Sequence, residues 1–157
     1  MEAKIRIYAM IVIIFAVALT ITGCGQVFSN ELIVNRYADA LLTKNNELQF
    51  RFRINNEILE GHQLYKVKVT IHDAKLAAAI GKHEIVYGDG QVLNGEYIEV
   101  KSKSEKYIFM DPIPLKRDLH IHELHDMIEN NHAVSIEVYN NKQVFGRAYL
   151  TNFSSEL

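Results

Sequence analysis

The chain has 157 residues, with 17 Lys and Arg against 19 Asp and Glu, one cysteine and no tryptophan. That length holds one domain of ordinary size and leaves little for a second. A formal net charge of -2 at pH 7 argues against a general nucleic-acid binder, which needs a strongly basic face, and a single cysteine leaves no internal disulfide to form.

The first stretch, MEAKIRIYAMIVIIFAVALTITGC, sets a short basic region with Lys4 and Arg6 ahead of an apolar run from Ile7 to Leu19. That order of parts is a secretory signal. The run is shorter than the roughly 20 apolar residues of a spanning helix, so cleavage is expected, with an uncleaved helical anchor as the alternative. At its end, Ile21, Thr22, Gly23 and Cys24 resemble the lipobox of bacterial lipoproteins. The resemblance covers the leader alone. It implies that residues 1–23 are removed, that the Cys24 sulfur carries a diacylglyceryl group, and that the chain sits lipid-anchored on the extracytoplasmic face of a cell membrane. Acyl chains contribute about 0.8 kcal/mol per buried methylene, so two or more give stable anchoring. Lys4 and Arg6 are the leader's basic residues and Glu2 its one acid, so 15 basic and 18 acidic side chains remain in the mature part.

Residues 24–30 read as a lipidated tether and 31–157 as one β-rich domain. Asn30 to Lys44 places Ile33, Tyr37, Ala40, Leu41 and Lys44 on one side at helical spacing, which predicts a first helix capped by Ser29 or Asn30. The period then drops to 2. Leu48, Phe50, Phe52 and Ile54 alternate with Gln49, Arg51, Arg53 and Asn55, and Tyr65, Val67, Val69 and Ile71 alternate with Leu64, Lys66, Lys68 and Thr70. If the intervening turn closes a hairpin, Arg51 faces Lys66, and Arg51, Arg53, Lys66 and Lys68 form a basic patch on one solvent face. Such a patch would meet an anionic partner, a lipid head group or a phosphate-bearing wall polymer, or serve as ordinary solvent cover.

Asp73 and Gly81 bracket a short helix from Lys75 to Ile80, and His83 to Tyr87 follows as a strand. Gly88-Asp89-Gly90 and Asn94-Gly95 mark a flexible crossing. Tyr97 to Lys101 and Lys106 to Met110 give a hairpin that Asp111-Pro112-Ile113-Pro114 stops, because proline donates no ladder bond. A second helix is expected from Leu119 to Asn130, capped by Asp118, with Ile121, Leu124, Met127 and Ile128 on its apolar face. The chain closes in a hairpin, Val134 to Val138 and Val144 to Phe153, turning at Asn140-Asn141-Lys142.

Seven short strands with few helices predict an all-β fold, an immunoglobulin-like β-sandwich. The alternative is an α+β fold in which the Asn30 to Lys44 helix lies across one curved antiparallel sheet, as in cystatin-like domains. His122, His125 and Glu129 share a narrow arc at separations that can hold zinc, although His-Glu-Leu-His is one residue short of the zinc-protease spacing. His120 falls on the apolar side beside Leu124 and reads as a packed or hydrogen-bonded histidine. Phe145, Arg147 and Tyr149 form a stripe suited either to a protein contact or to a second buried face. No serine elbow, phosphate loop, dinucleotide fingerprint or calcium loop is present. The expected function is a non-catalytic binding or interaction module held at the membrane, without a cofactor beyond the lipid on Cys24. Its partner would be an envelope protein or an anionic polymer. The alternatives are a metal-binding lipoprotein and a surface-exclusion type accessory protein.

Overall fold

The two alternating rows are each buried on one side of a strand, but they belong to different sheets. The computed structural model describes residues 31–59, 64–87, 97–100 and 104–157. The leader, Cys24, the tether and the Gly88 to Gly95 crossing lie outside the described residues.

The first sheet contains β1 (Asp39–Leu42), β2 (Glu47–Ile54), β6 (Lys106–Phe109), β7 (Ile113–Pro114) and β10 (Asn152–Ser155). Its order is β10-β1-β2-β6, with β7 also on β2, and β1 runs parallel to β10. The second contains β3 (Leu64–Ile71), β4 (Glu84–Tyr87), β5 (Ile98–Glu99), β8 (Val134–Tyr139) and β9 (Val144–Tyr149), ordered β4-β3-β8-β9 with β5 also on β3. The fold is therefore mostly β, two sheets with few short helices. The inward rows of β2, β3 and β8 meet in one continuous core with Leu76, Ile80, Leu124 and Ile128 from the helices.

Three expectations are corrected. Residues 30–44 hold no long helix: among the described residues Asn35–Tyr37 is one 3-10 turn and Asp39–Leu42 is β1. Pairing on both sides, with β2 and β10, overrides local helical spacing because each backbone group gains a ladder partner. This also removes the helix on which the cystatin-like alternative rests. The hairpin joining β2 to β3 does not exist either, since the link crosses between sheets and buries Asn56 and Leu59 on the way. Nor do β5 and β6 form a hairpin; β5 pairs with β3 and β6 with β2.

Local signals held where one residue acts directly on its neighbours. Asp73 accepts from the Lys75 and Leu76 amides (2.8 Å each), starting α1 (Ala74–Ile80), and Gly81 ends it at φ 80°, a conformation that favours glycine. The second helix starts later than expected. It is α2 (Ile121–His125), continued by a π-helical turn Asp126–Asn130, and its cap is His120, whose Nδ1 accepts from the His122 amide. Asp118 instead accepts from Asn46 Nδ2 (2.9 Å). The final strand splits: β9 pairs with β8, then β10 crosses to the first sheet. There the Phe153 amide donates to Glu129 Oε1 (2.9 Å), so the turn after α2 covers part of an edge strand. At Gly146 a Cβ would stand 3.0 Å from Leu32 Cδ2; glycine lets the entering chain pack on β9.

Candidate interaction face

Because Leu48, Phe50, Phe52 and Ile54 turn inward, Gln49, Arg51 and Arg53 must turn outward on the first sheet. Arg51 is clamped across three strands: its guanidinium forms a two-pronged ion pair with Asp39 on β1 and donates to Ser154 Oγ on β10 (3.1 Å), and Ser154 donates to Asp39 (3.0 Å). The hydrogen bond and charge of Asp39 raise the Arg51 pKa against the cost of burial. Arg53 is only 6% exposed. Its guanidinium lies 3.6 Å from the Tyr37 ring centroid, donates to the Tyr107 hydroxyl (3.0 Å) and pairs with Glu105 (2.8 Å).

The rings held this way remain open to solvent. Tyr37, Tyr107 and Phe109 are 44%, 54% and 60% exposed, and the Arg36 guanidinium sits 4.9 Å from the Tyr37 ring centroid. Between them runs a cleft of about 430 Å³, lined by Arg51, Tyr37, Tyr107 and Phe109 among others. Amphipathic rings and guanidinium groups enrich contact surfaces because they desolvate at low entropy cost and still offer donors.

The outer face of the second sheet is different. Lys68 lies between Glu84 (3.6 Å) and Glu137 (3.4 Å), Glu137 also pairs with Arg147, and Lys66 lies over the Tyr97 ring (4.4 Å). These charges answer one another, as solvated sheet faces require. Burial works against ionisation of Glu137, but the Arg147 hydrogen bond and the charges of Lys68 and Arg147 outweigh it, and the carboxyl is held below its usual range. A carboxyl depressed in the folded state stabilises above the unfolded value, about pH 4.3 for glutamate, and that stability is lost as pH falls through the folded value. Glu137→Gln is therefore expected to cost about 1–2 kcal/mol at pH 7. The gap from the natural chain should narrow at pH 3 in urea titrations; an equal gap at both pH values would refute this.

The expected four-residue basic patch is thus divided, Arg51 and Arg53 on one sheet, Lys66 and Lys68 on the other. The zinc trio is also divided. His125 Nε2 meets Glu129 Oε2 at 3.2 Å, but the His122 ring stacks on His120 (centroids 5.2 Å apart). Among the described residues no group of three or more His, Cys, Asp or Glu side chains is placed to hold a metal. The Phe145, Arg147 and Tyr149 stripe is split: Phe145 packs on the core, while Arg147, paired with Glu137, and Tyr149, in ring contact with His72 and His132, remain exposed. His72 Nε2 and Ser135 Oγ lie 2.8 Å apart. Ser135 is buried, and this contact satisfies its enclosed hydroxyl.

Sequence reasoning missed Tyr37, Tyr107 and Phe109 as a group. One signal was present: Lys106 to Met110 carries aromatics at Tyr107 and Phe109 and apolar side chains at Ile108 and Met110, so both faces of one strand are apolar. Among the described residues no helix is long and apolar enough to cross a membrane. No family model, characterised protein or solved structure matches the chain.

Proposed function

We propose that this chain is a lipoprotein carried on Cys24 at the extracytoplasmic face of a cell membrane, and that its domain is a non-catalytic interaction module. The lipobox at Ile21 to Cys24 and the lack of any second cysteine support the anchor. An immunoglobulin-like arrangement is part of the proposal. The orders β10-β1-β2-β6 and β4-β3-β8-β9 are compatible with strands A-B-E and C′-C-F-G of that architecture if β10 is taken as an added strand beside β1, with α2 in the E to F connection. Fold analogy alone gives no function, so the functional part rests on the site.

The observation that carries it is the contrast between the two outer faces. Both expose large apolar side chains, Leu64, Val86, Val144 and Tyr149 on the second sheet, but on the first Tyr37, Tyr107 and Phe109 line one cleft together with Arg36. The contact surface is accordingly the outer face of the first sheet. A photo-cross-linking residue placed at Phe109 in intact cells tests this against one at Val86, an exposed residue of the second sheet. Phe109 is expected to capture a neighbour, protein or phospholipid, and Val86 to capture little. Equal capture at both positions, or none at Phe109, would overturn the assignment.

A further inference from the structure

The chain enters the domain beside the end of β2 that carries Arg53, with Leu32 packed on β9 of the other sheet. Ile33 bridges Ile54, the Val34 amide donates to the Arg53 carbonyl (3.0 Å), and the Asn55 amide donates to the Leu32 carbonyl (2.8 Å). The entering segment is thereby stitched to the end of β2 that carries Arg53, and Arg36 and Tyr37 follow within the next turn. Glu31 lies seven positions after Cys24, a reach of at most about 25 Å when fully extended. A lipid anchor at Cys24 therefore keeps the Tyr37, Tyr107 and Arg53 end of the face within reach of the bilayer surface at all times, which raises its effective concentration there.

The chemistry of the face fits that neighbour. Tyrosine rings settle at the head-group level, where the body is apolar and the hydroxyl stays wet, and Phe109, 60% exposed with no polar atom on its side chain, gains by entering the acyl boundary. Of the three guanidinium groups here, Arg51 is paired with Asp39 and Arg53 with Glu105, while Glu156 also acts on Arg51 and Glu47 stands in the same outward row of β2. Arg36 makes no ion pair with a described residue, and a guanidinium binds phosphate through a planar pair of donors.

We propose that the outer face of the first sheet docks, through Tyr37, Tyr107, Phe109 and Arg36, on the anionic phospholipid surface of the membrane that anchors the chain. The domain then lies against the bilayer with its charge-paired second sheet facing away. This rests on the assignment of the same face as the contact surface and adds to it the identity of what is contacted.

The chain has no tryptophan, so Phe109→Trp supplies a single fluorophore on the face and Val86→Trp a matched one on the opposite sheet. The lipidated mature chain is loaded through its own anchor onto preformed phosphatidylcholine vesicles with brominated acyl chains, with or without phosphatidylglycerol. Phe109→Trp emission is expected to shift to the blue and be quenched on the phosphatidylglycerol vesicles. Quenching should weaken without that lipid, with added salt, and in Phe109→Trp combined with Arg36→Glu, while Val86→Trp stays unquenched. Both fluorophores quenched alike, or Phe109→Trp as unquenched as Val86→Trp, would overturn the proposal. If lipid leaves Phe109→Trp unquenched but the cross-linker at Phe109 captures a protein in cells, the lipid assignment fails and the interaction face stands. If neither occurs, both fail.

Discussion

Replacing Phe50 by alanine is expected to lower the unfolding free energy by about 4 kcal/mol, from lost burial and the cavity left behind. Phe50 is fully enclosed on β2, between Leu48 and Phe52 in the inward row and opposite Ala40 of β1, and alanine across the strand offers no bulk to refill the space. Because no disulfide limits the unfolded chain, the core must carry the stability, and 4 kcal/mol is a large share of the roughly 5–15 kcal/mol of an ordinary domain. Phe109→Ala is the control: the same deletion at a 60% exposed site should stay within about 0.5 kcal/mol. Urea titration of both variants checks the contrast. A loss below about 1 kcal/mol for Phe50→Ala would mean that the two sheets do not close on one core.

The second large effect concerns Arg53. Arg53→Ala is expected to cost about 2–3 kcal/mol, because it leaves Glu105 without its partner and removes the cation beneath Tyr37; Glu105 is 40% exposed, which keeps the figure below that of a fully enclosed pair. The structural consequence is as sharp as the energetic one. Tyr107 loses the donor that fixes its hydroxyl and Tyr37 loses the plane it rests on, so the face should disperse and capture from Phe109 should fall with stability. Arg53→Lys is expected to rescue little, since an ammonium cannot lie flat on a ring while donating sideways to a tyrosine and a carboxylate. Wild-type stability and undiminished capture in Arg53→Ala would show that the face does not depend on this cation.

What could be read in advance divides along physical lines. Asp73 and Gly81 act on their own backbone neighbours, and α1 lies where they predicted. The rows in β2, β3 and β8 also came through, because alternation reports directly on one buried side. Alternation is silent about partners. Leu48 to Ile54 and Tyr65 to Ile71 suit neighbours in one sheet as well as strands facing each other across a core, and choosing the hairpin put Arg51 beside Lys66 when its neighbours are Asp39 and Phe109. The Asn30 to Lys44 error has the same root, since pairing with residues more than a hundred positions away, at Asn152 to Ser155, is invisible in a local window. The aromatic face needs three separate segments, at Tyr37, Arg53 and Tyr107, to converge; only the apolar residues on both sides of Lys106 to Met110 hinted at it.

Both the contact face and its lipid partner depend on the domain being carried at a bilayer by Cys24, and the mass of the mature chain taken from the membranes of its native host tests this most directly. The account predicts a chain that begins at Cys24 and bears diacylglyceryl on that residue. A water-soluble cytosolic chain that retains residues 1–23 and a free Cys24 thiol would contradict it.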